Sequence, residues 1–150
     1  VINAHLQSFN FGSAHYKYMK GLKDSTIDAL NISKTKDLAS RLYVGFIKRS
    51  EQLEIVQKQI KESPHPIILC ADLNEIPLSY VYDNLGEEMC DGFLESGFGL
   101  GVTHTSGYPF MRIDYIMTSS ELSTTSFKIV EKELSDHFPI VAEISYRDSL

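Results

Sequence analysis

Residues 66–74 read Pro66-Ile67-Ile68-Leu69-Cys70-Ala71-Asp72-Leu73-Asn74. The apolar run from Ile67 to Ala71 is too short for a typical helix and shows no alternation. Such a run predicts a short strand covered on both faces. Asp72 and Asn74 follow at once, two residues apart, so they share a side if the strand continues. The pair reads either as an Asx-turn that closes a strand or as a polar site at a strand end.

Working outward from this strand gives the fold class. Upstream, residues 37–62 carry Leu42, Phe46, Leu53, Val56 and Ile60 on one helical stripe. Arg49 occupies the gap in that stripe. Its expected place has the stem along the apolar face and the head in water; an inward head would need an acidic or carbonyl partner. Residues 63–66 break the helix. Helix, turn and strand in succession is the rhythm of a layered α/β fold. Downstream, Pro77, Ser79 and residues 80–85 predict a second helix. A Gly-, Thr- and Ser-rich loop spans 97–107. Residues 111–118, 126–130 and 140–145 predict three strands, with 119–125 joining the first two as a hairpin or short meander. Residues 1–6 read as another strand, and 8–36 as a long polar surface excursion.

The chain has 150 residues, 43% hydrophobic and 23% charged, which suits one globular domain and excludes a disordered segment. Its two cysteines do not make a disulfide framework, and Cys70 is expected as a buried free thiol. There is no run of 18 apolar residues and no signal-like start. The net charge is −6. Lys17, Lys20 and Lys23 form one thin basic cluster and Lys48-Arg49 another, neither interleaved with aromatics, so composition disfavours nucleic acid as a partner.

Four polar clusters lie at the ends of strand-like runs. They are Asn3-Ala4-His5-Leu6, Ala71-Asp72-Leu73-Asn74, Arg112-Ile113-Asp114-Tyr115-Ile116 and Ser135-Asp136-His137-Phe138-Pro139-Ile140. Carboxylates, amides and imidazoles drawn from four strand ends suit a divalent metal and the hydrolysis of a phosphate ester. Asp114 is costly inside a strand of Ile, Tyr and Met unless it is paired. Its structural alternative is an ion pair with Arg112 or Arg49. Strand alternation would put Arg112, Asp114 and Ile116 on one side.

In this order the four clusters resemble the endonuclease/exonuclease/phosphatase (DNase I-like) superfamily. The resemblance extends over nearly all of the chain but only the second half of the family's domain. Residues 1–150 are therefore expected to be the C-terminal half of a four-layer α/β sandwich, mostly antiparallel sheet with flanking helices. The first half, and any membrane or targeting segment, would precede residue 1, and localisation in a bacterial cytoplasm or envelope would turn on that segment. The segment around Arg49, Gln52 and Asp72, with residues 77–82, looks most like Bacteroides-type members.

The resemblance implies a metal-dependent hydrolase of phosphodiesters or phosphomonoesters. Asp72 would direct or deprotonate the attacking water. Asn74 would hold the phosphate. Asp114 would orient His137, which with His5 would handle the phosphate or leaving group. Asp136 would reach the metal, Mg²⁺ with Mn²⁺ as an alternative. Asn3 and His104 would support substrate binding. The family's remaining ligands, an Asn and a Glu, belong to its first half, so the 150 residues alone are expected to be inactive and to self-associate. The family's usual Gly before this Asp is Ala71 here, which would be strained if that position needed a positive φ. A phosphate-binding or scaffold domain without catalysis is the competing reading, and the substrate stays open among DNA, RNA, a phospholipid and a sugar phosphate.

Overall fold

A computed structural model describes residues 1–8, 32–105, 111–132 and 134–147, with 32–35 as backbone alone. The polar excursion at 9–31, with Lys17, Lys20, Lys23 and His15, lies outside the described residues, as does Tyr108. The elements in order are β1 (Ile2–His5), α1 (Ile32–Lys61), β2 (Ile68–Asp72), α2 (Tyr80–Gly86), β3 (Cys90–Asp91), α3 (Gly92–Ser96), β4 (Asp114–Thr118), β5 (Leu122–Ile129) and β6 (Ile140–Tyr146).

The described strands form two sheets. One has the order β1-β2-β4-β3; the other pairs β5 with β6. Only β1 and β2 run parallel; the other pairs are antiparallel. The mixed α/β expectation with mostly antiparallel sheet is therefore met.

Alternation explains how the first sheet separates core from site. Leu69 and Ala71 of β2 and Tyr115 and Met117 of β4 are buried on one face. Leu53 and Val56 of α1 and Val81 and Leu85 of α2 join them in a single core cluster. Ile2 and Ala4 of β1 pack against the same cluster, while Asn3 and His5 are exposed. Asp72 and Asp114 thus belong to the opposite face, at the strand ends.

Several expectations need correction. β2 is not closed on both faces, because Ile68, Cys70 and Asp72 are only half-buried. Cys70 is a free thiol but is not fully buried. Helix α1 starts before residue 37, and its apolar stripe is buried only toward its C-terminal half. Leu42 and Phe46 are 41% and 40% exposed, against 2% for Leu53. The expected hairpin at 119–125 does not form. β4 and β5 belong to different sheets, and Leu122 already pairs with Tyr146 of β6. A three-residue connection suffices because the chain changes sheet there instead of folding back on itself. β3 and α3 had no sequence expectation. They are two and five residues long, shorter than any periodicity can reveal.

Arg49 is also corrected. It does not lead its head to water but is 1% exposed. Its Nε donates to Glu75 Oε1 at 2.6 Å and its Nη1 to the Gln7 carbonyl at 2.9 Å. One helical side chain therefore ties the backbone that follows β1 to the Glu75 carboxylate that follows β2. Gln52, one helical turn on, accepts from Gln7 N at 2.7 Å.

Candidate active site

Strand register assembles the site. His5 lies opposite Asp72, and Asp72 lies opposite Asp114. Three neighbouring strands therefore present polar side chains at one end of the sheet. His5 Nε2 is 3.4 Å from Asp72 Oδ2. Ligand atoms of Asp72, Asp114 and His137 all lie within 4.8 Å of one another.

The Asp114–His137 pair is direct. His137 Nδ1 is 2.9 Å from Asp114 Oδ2 and 3.1 Å from Oδ1. Neither structural alternative for Asp114 is realised, because Arg49 pairs with Glu75 and Arg112 with Asp91. Burial disfavours the charged form of His137. The Asp114 carboxylate outweighs that penalty and holds the imidazole pKa above its ordinary value. Burial also pushes the Asp72 carboxyl above the usual range, partly offset by the Asn74 N–H and reinforced by nearby Asp114. A raised carboxylate is the better proton acceptor near neutral pH.

Asn74 has φ +50°, a left-handed conformation that Asn tolerates better than most residues. Its backbone N–H donates to Asp72 Oδ1 at 2.9 Å, so the Asx-turn is present and aims the carboxylate. Its side-chain amide donates to the Leu6 carbonyl at 3.0 Å, joining the ends of β1 and β2. The positive φ that the sequence left open at Ala71 falls on Asn74 instead.

The loop of 102–105 and the segment of 136–138 complete the cluster. His104 and His137 form an antiparallel bridge, and their rings meet edge to face with centroids 4.8 Å apart. Burial, with His137 beside it, holds the His104 pKa below its ordinary value. Asp136 is 76% exposed at its side chain, with Oδ2 3.9 Å from His104 Nε2.

His5, Asp72, Asn74, Asp114, Asp136, His137 and His104 are thus brought to one region. Asn3 is not at the strand end. It lies opposite Cys70, two pairs further into the sheet, roughly 6–7 Å along the strand from His5. The predicted alternation around Arg112 also fails, since Arg112 precedes β4. Its guanidinium lies 4.8 Å from the centroids of both Tyr115 and Phe93, and it is paired with Asp91.

Sequence reasoning missed Thr103. It is fully buried, and its hydroxyl accepts from Ile113 N at 3.1 Å and Asp114 N at 3.2 Å. Its carbonyl accepts from Phe138 N at 2.7 Å. Thr103 therefore fixes both halves of the Asp114–His137 pair. A lone Thr in a loop carries no pattern that distinguishes it. Tyr115 was likewise unassigned; its hydroxyl reaches the carbonyls of Glu75 and Arg112, each at 2.8 Å.

The donor set fits a hard divalent ion that keeps much of its water. Such ions take one or two carboxylates together with phosphate oxygens. Asp136 offers an exposed carboxylate, whereas both oxygens of Asp114 face His137.

The sequence profile of the Endonuclease/Exonuclease/phosphatase family matches residues 21–137. Among solved structures, an endonuclease/exonuclease/phosphatase family protein of Bacteroides thetaiotaomicron matches with 23% identity and a TM-score of 0.61, over 69% of this chain and 46% of that one. A mannosyl-6-phosphatase of the same organism matches with 23% identity and a TM-score of 0.56, over 66% of this chain and 46% of that one. The human Nocturnin catalytic domain with bound sulfate matches with 16% identity and a TM-score of 0.53, over 95% of this chain and 45% of that one. The chain spans about half the length of these structures. No curated protein sequence matches it.

Proposed function

The chain belongs to the endonuclease/exonuclease/phosphatase family, and from that premise we propose that it carries the acid–base half of a Mg²⁺-dependent phosphoesterase site. The observation that carries the reading is the 2.9 Å contact between Asp114 and His137 beside Asp72, at the shared end of β1, β2 and β4.

In this reading Asp72 accepts the proton of the attacking water, helped by its raised pKa. His137, whose protonated form the Asp114 carboxylate favours, offers a proton to a phosphoryl or leaving oxygen. His5 and Asn74 border the phosphate, and His104 flanks it from the loop. Asp136 would hold the Mg²⁺, which supplies neutralisation of charge on the phosphoryl oxygens. The 150 residues act as the C-terminal half of the domain. In support, the chain spans about half of its structural neighbours' length.

The test is hydrolysis by the full-length protein. p-Nitrophenyl phosphate, bis-p-nitrophenyl phosphate, a sugar 6-phosphate and a short oligonucleotide are each incubated with Mg²⁺ or with EDTA. The reading expects Mg²⁺-dependent turnover of at least one. Binding of phosphate without turnover of any would instead favour a non-catalytic domain.

A further inference from the structure

Among the described residues, His104, Asp136 and His137 place one ligand atom each within 4.8 Å of one another. The backbone builds this arrangement. Thr105 N donates to the Asp136 carbonyl at 2.8 Å, and Phe138 N donates to the Thr103 carbonyl at 2.7 Å. Those two bonds flank the His104–His137 bridge, which makes it a non-hydrogen-bonded antiparallel pair. Side chains at such a pair leave the same face, with Cα atoms only about 4.5 Å apart. The Thr105 hydroxyl also donates to the Asp136 carbonyl, at 3.1 Å. Two imidazoles and a carboxylate are therefore presented together by a laced ribbon.

We propose that His104, Asp136 and His137 bind a borderline transition-metal ion of the Zn²⁺ class, and that this ion blocks the site that the same residues serve with Mg²⁺.

Ligand chemistry separates the two ions. Mg²⁺ prefers oxygen donors and has little use for imidazole, whereas Zn²⁺ takes nitrogen readily. Two His with one carboxylate is a familiar three-ligand Zn²⁺ set that leaves a position open to water. Asp114 on His137 Nδ1 supplies the carboxylate that orients a metal-bound imidazole through its other nitrogen. Bond lengths of about 2.0–2.2 Å require the ligand atoms to close by roughly an ångström. Asp136, exposed on its loop, can supply that by side-chain rotation. An ion there occupies His137 and Asp136 together, so His137 can no longer exchange a proton with a phosphate ester.

Binding stands apart from the phosphoesterase reading; only the blocking rests on it. The purified protein is titrated with Zn²⁺ by calorimetry and with Co²⁺ by visible absorption, as wild type, His104→Gln, Asp136→Asn and His65→Gln. Imidazole nitrogen signals are followed by NMR in parallel, with circular dichroism as the fold control. The expected result is one tight site. His104→Gln and Asp136→Asn should each weaken it at least ~10-fold, the scale seen when a site's supporting residues are lost. His65→Gln should not change it. The Co²⁺ spectrum should lack a thiolate charge-transfer band, and the His104 and His137 ring signals should shift together. Where Mg²⁺-dependent turnover is measured, Zn²⁺ should inhibit wild type more strongly than His104→Gln. Zn²⁺ affinity unchanged in His104→Gln, a thiolate band from Cys70 or Cys90, or unshifted rings in folded protein would overturn the proposal. Tight binding without any turnover would sink the phosphoesterase reading and leave this site standing.

Discussion

His137 does its proposed work only in one orientation, and Asp114 sets it. An amide in place of that carboxylate keeps the shape but loses the charge that favours the imidazolium. Asp114→Asn should therefore lower turnover of the full-length enzyme by at least ~10-fold. The double variant with His137→Ala should be no slower than His137→Ala alone, because the two act as a unit. Additive losses in steady-state rates would show that Asp114 acts elsewhere. Arg49 poses a different question. Its guanidinium is enclosed and held by Glu75 and the Gln7 carbonyl. Removing one member of a buried pair leaves the other uncompensated, at a cost of about 3–5 kcal/mol. Glu75→Gln should lower the urea midpoint accordingly, because it leaves the fully buried Arg49 without its carboxylate, and Arg49→Met should lower it less, since the Glu75 left behind retains some exposure. An unchanged midpoint for Arg49→Met would mean that the pair contributes nothing net.

At the scale of elements, a carboxylate of α3 ties it to the second sheet, beside the edge-to-face contact of Phe93 with Phe127. Glu95 accepts from Thr124 N at 2.8 Å and from Arg147 Nη2 at 2.6 Å. Burial works to raise the Glu95 pKa, but the Thr124 and Arg147 bonds outweigh it and hold the pKa below its ordinary value. A depressed carboxylate stabilises the fold above its unfolded pKa, near 4.3, and loses that contribution as pH falls through the lower folded pKa. Glu95→Gln should therefore be less stable than wild type at pH 7, with the gap narrowing below about pH 4. A gap independent of pH in chemical denaturation would assign the effect to packing instead. Elements also show why some of the fold was legible. Residues 66–72 announced β2 because a short apolar run with a turn before it has few other readings. Ser79 announced α2 through its cap, and its hydroxyl does accept from Tyr82 N. β3 and α3 were silent, being too short for periodicity. The sheet change after Thr118 was illegible because a tight link looks the same whether the next strand pairs back or leaves. The site was legible as residue types at strand ends. Its geometry was not, since Thr103 and the Arg49–Glu75 tie depend on contacts between segments far apart in sequence.

Across the whole molecule, the second sheet has only two strands among the described residues, and Val141 and Tyr146 of β6 are largely exposed. Two strands alone are marginal, and an open edge offers unpaired N–H and C=O groups. The 150 residues in isolation should self-associate through β6 at raised concentration, as light scattering would record, and Val141→Lys should weaken the association. A monomer at every concentration would mean that these residues close their own core. The same half-domain view makes the complete site a property of the full-length protein. The most direct measurement is therefore its Mg²⁺-dependent rate on the best phosphate ester, compared with that of His137→Ala and Asp72→Asn at equal fold content. The account predicts that each variant loses at least ~10²-fold in kcat, the scale of a lost acid, base or charge-stabilising group. Rates within a few-fold of wild type for both variants would contradict it.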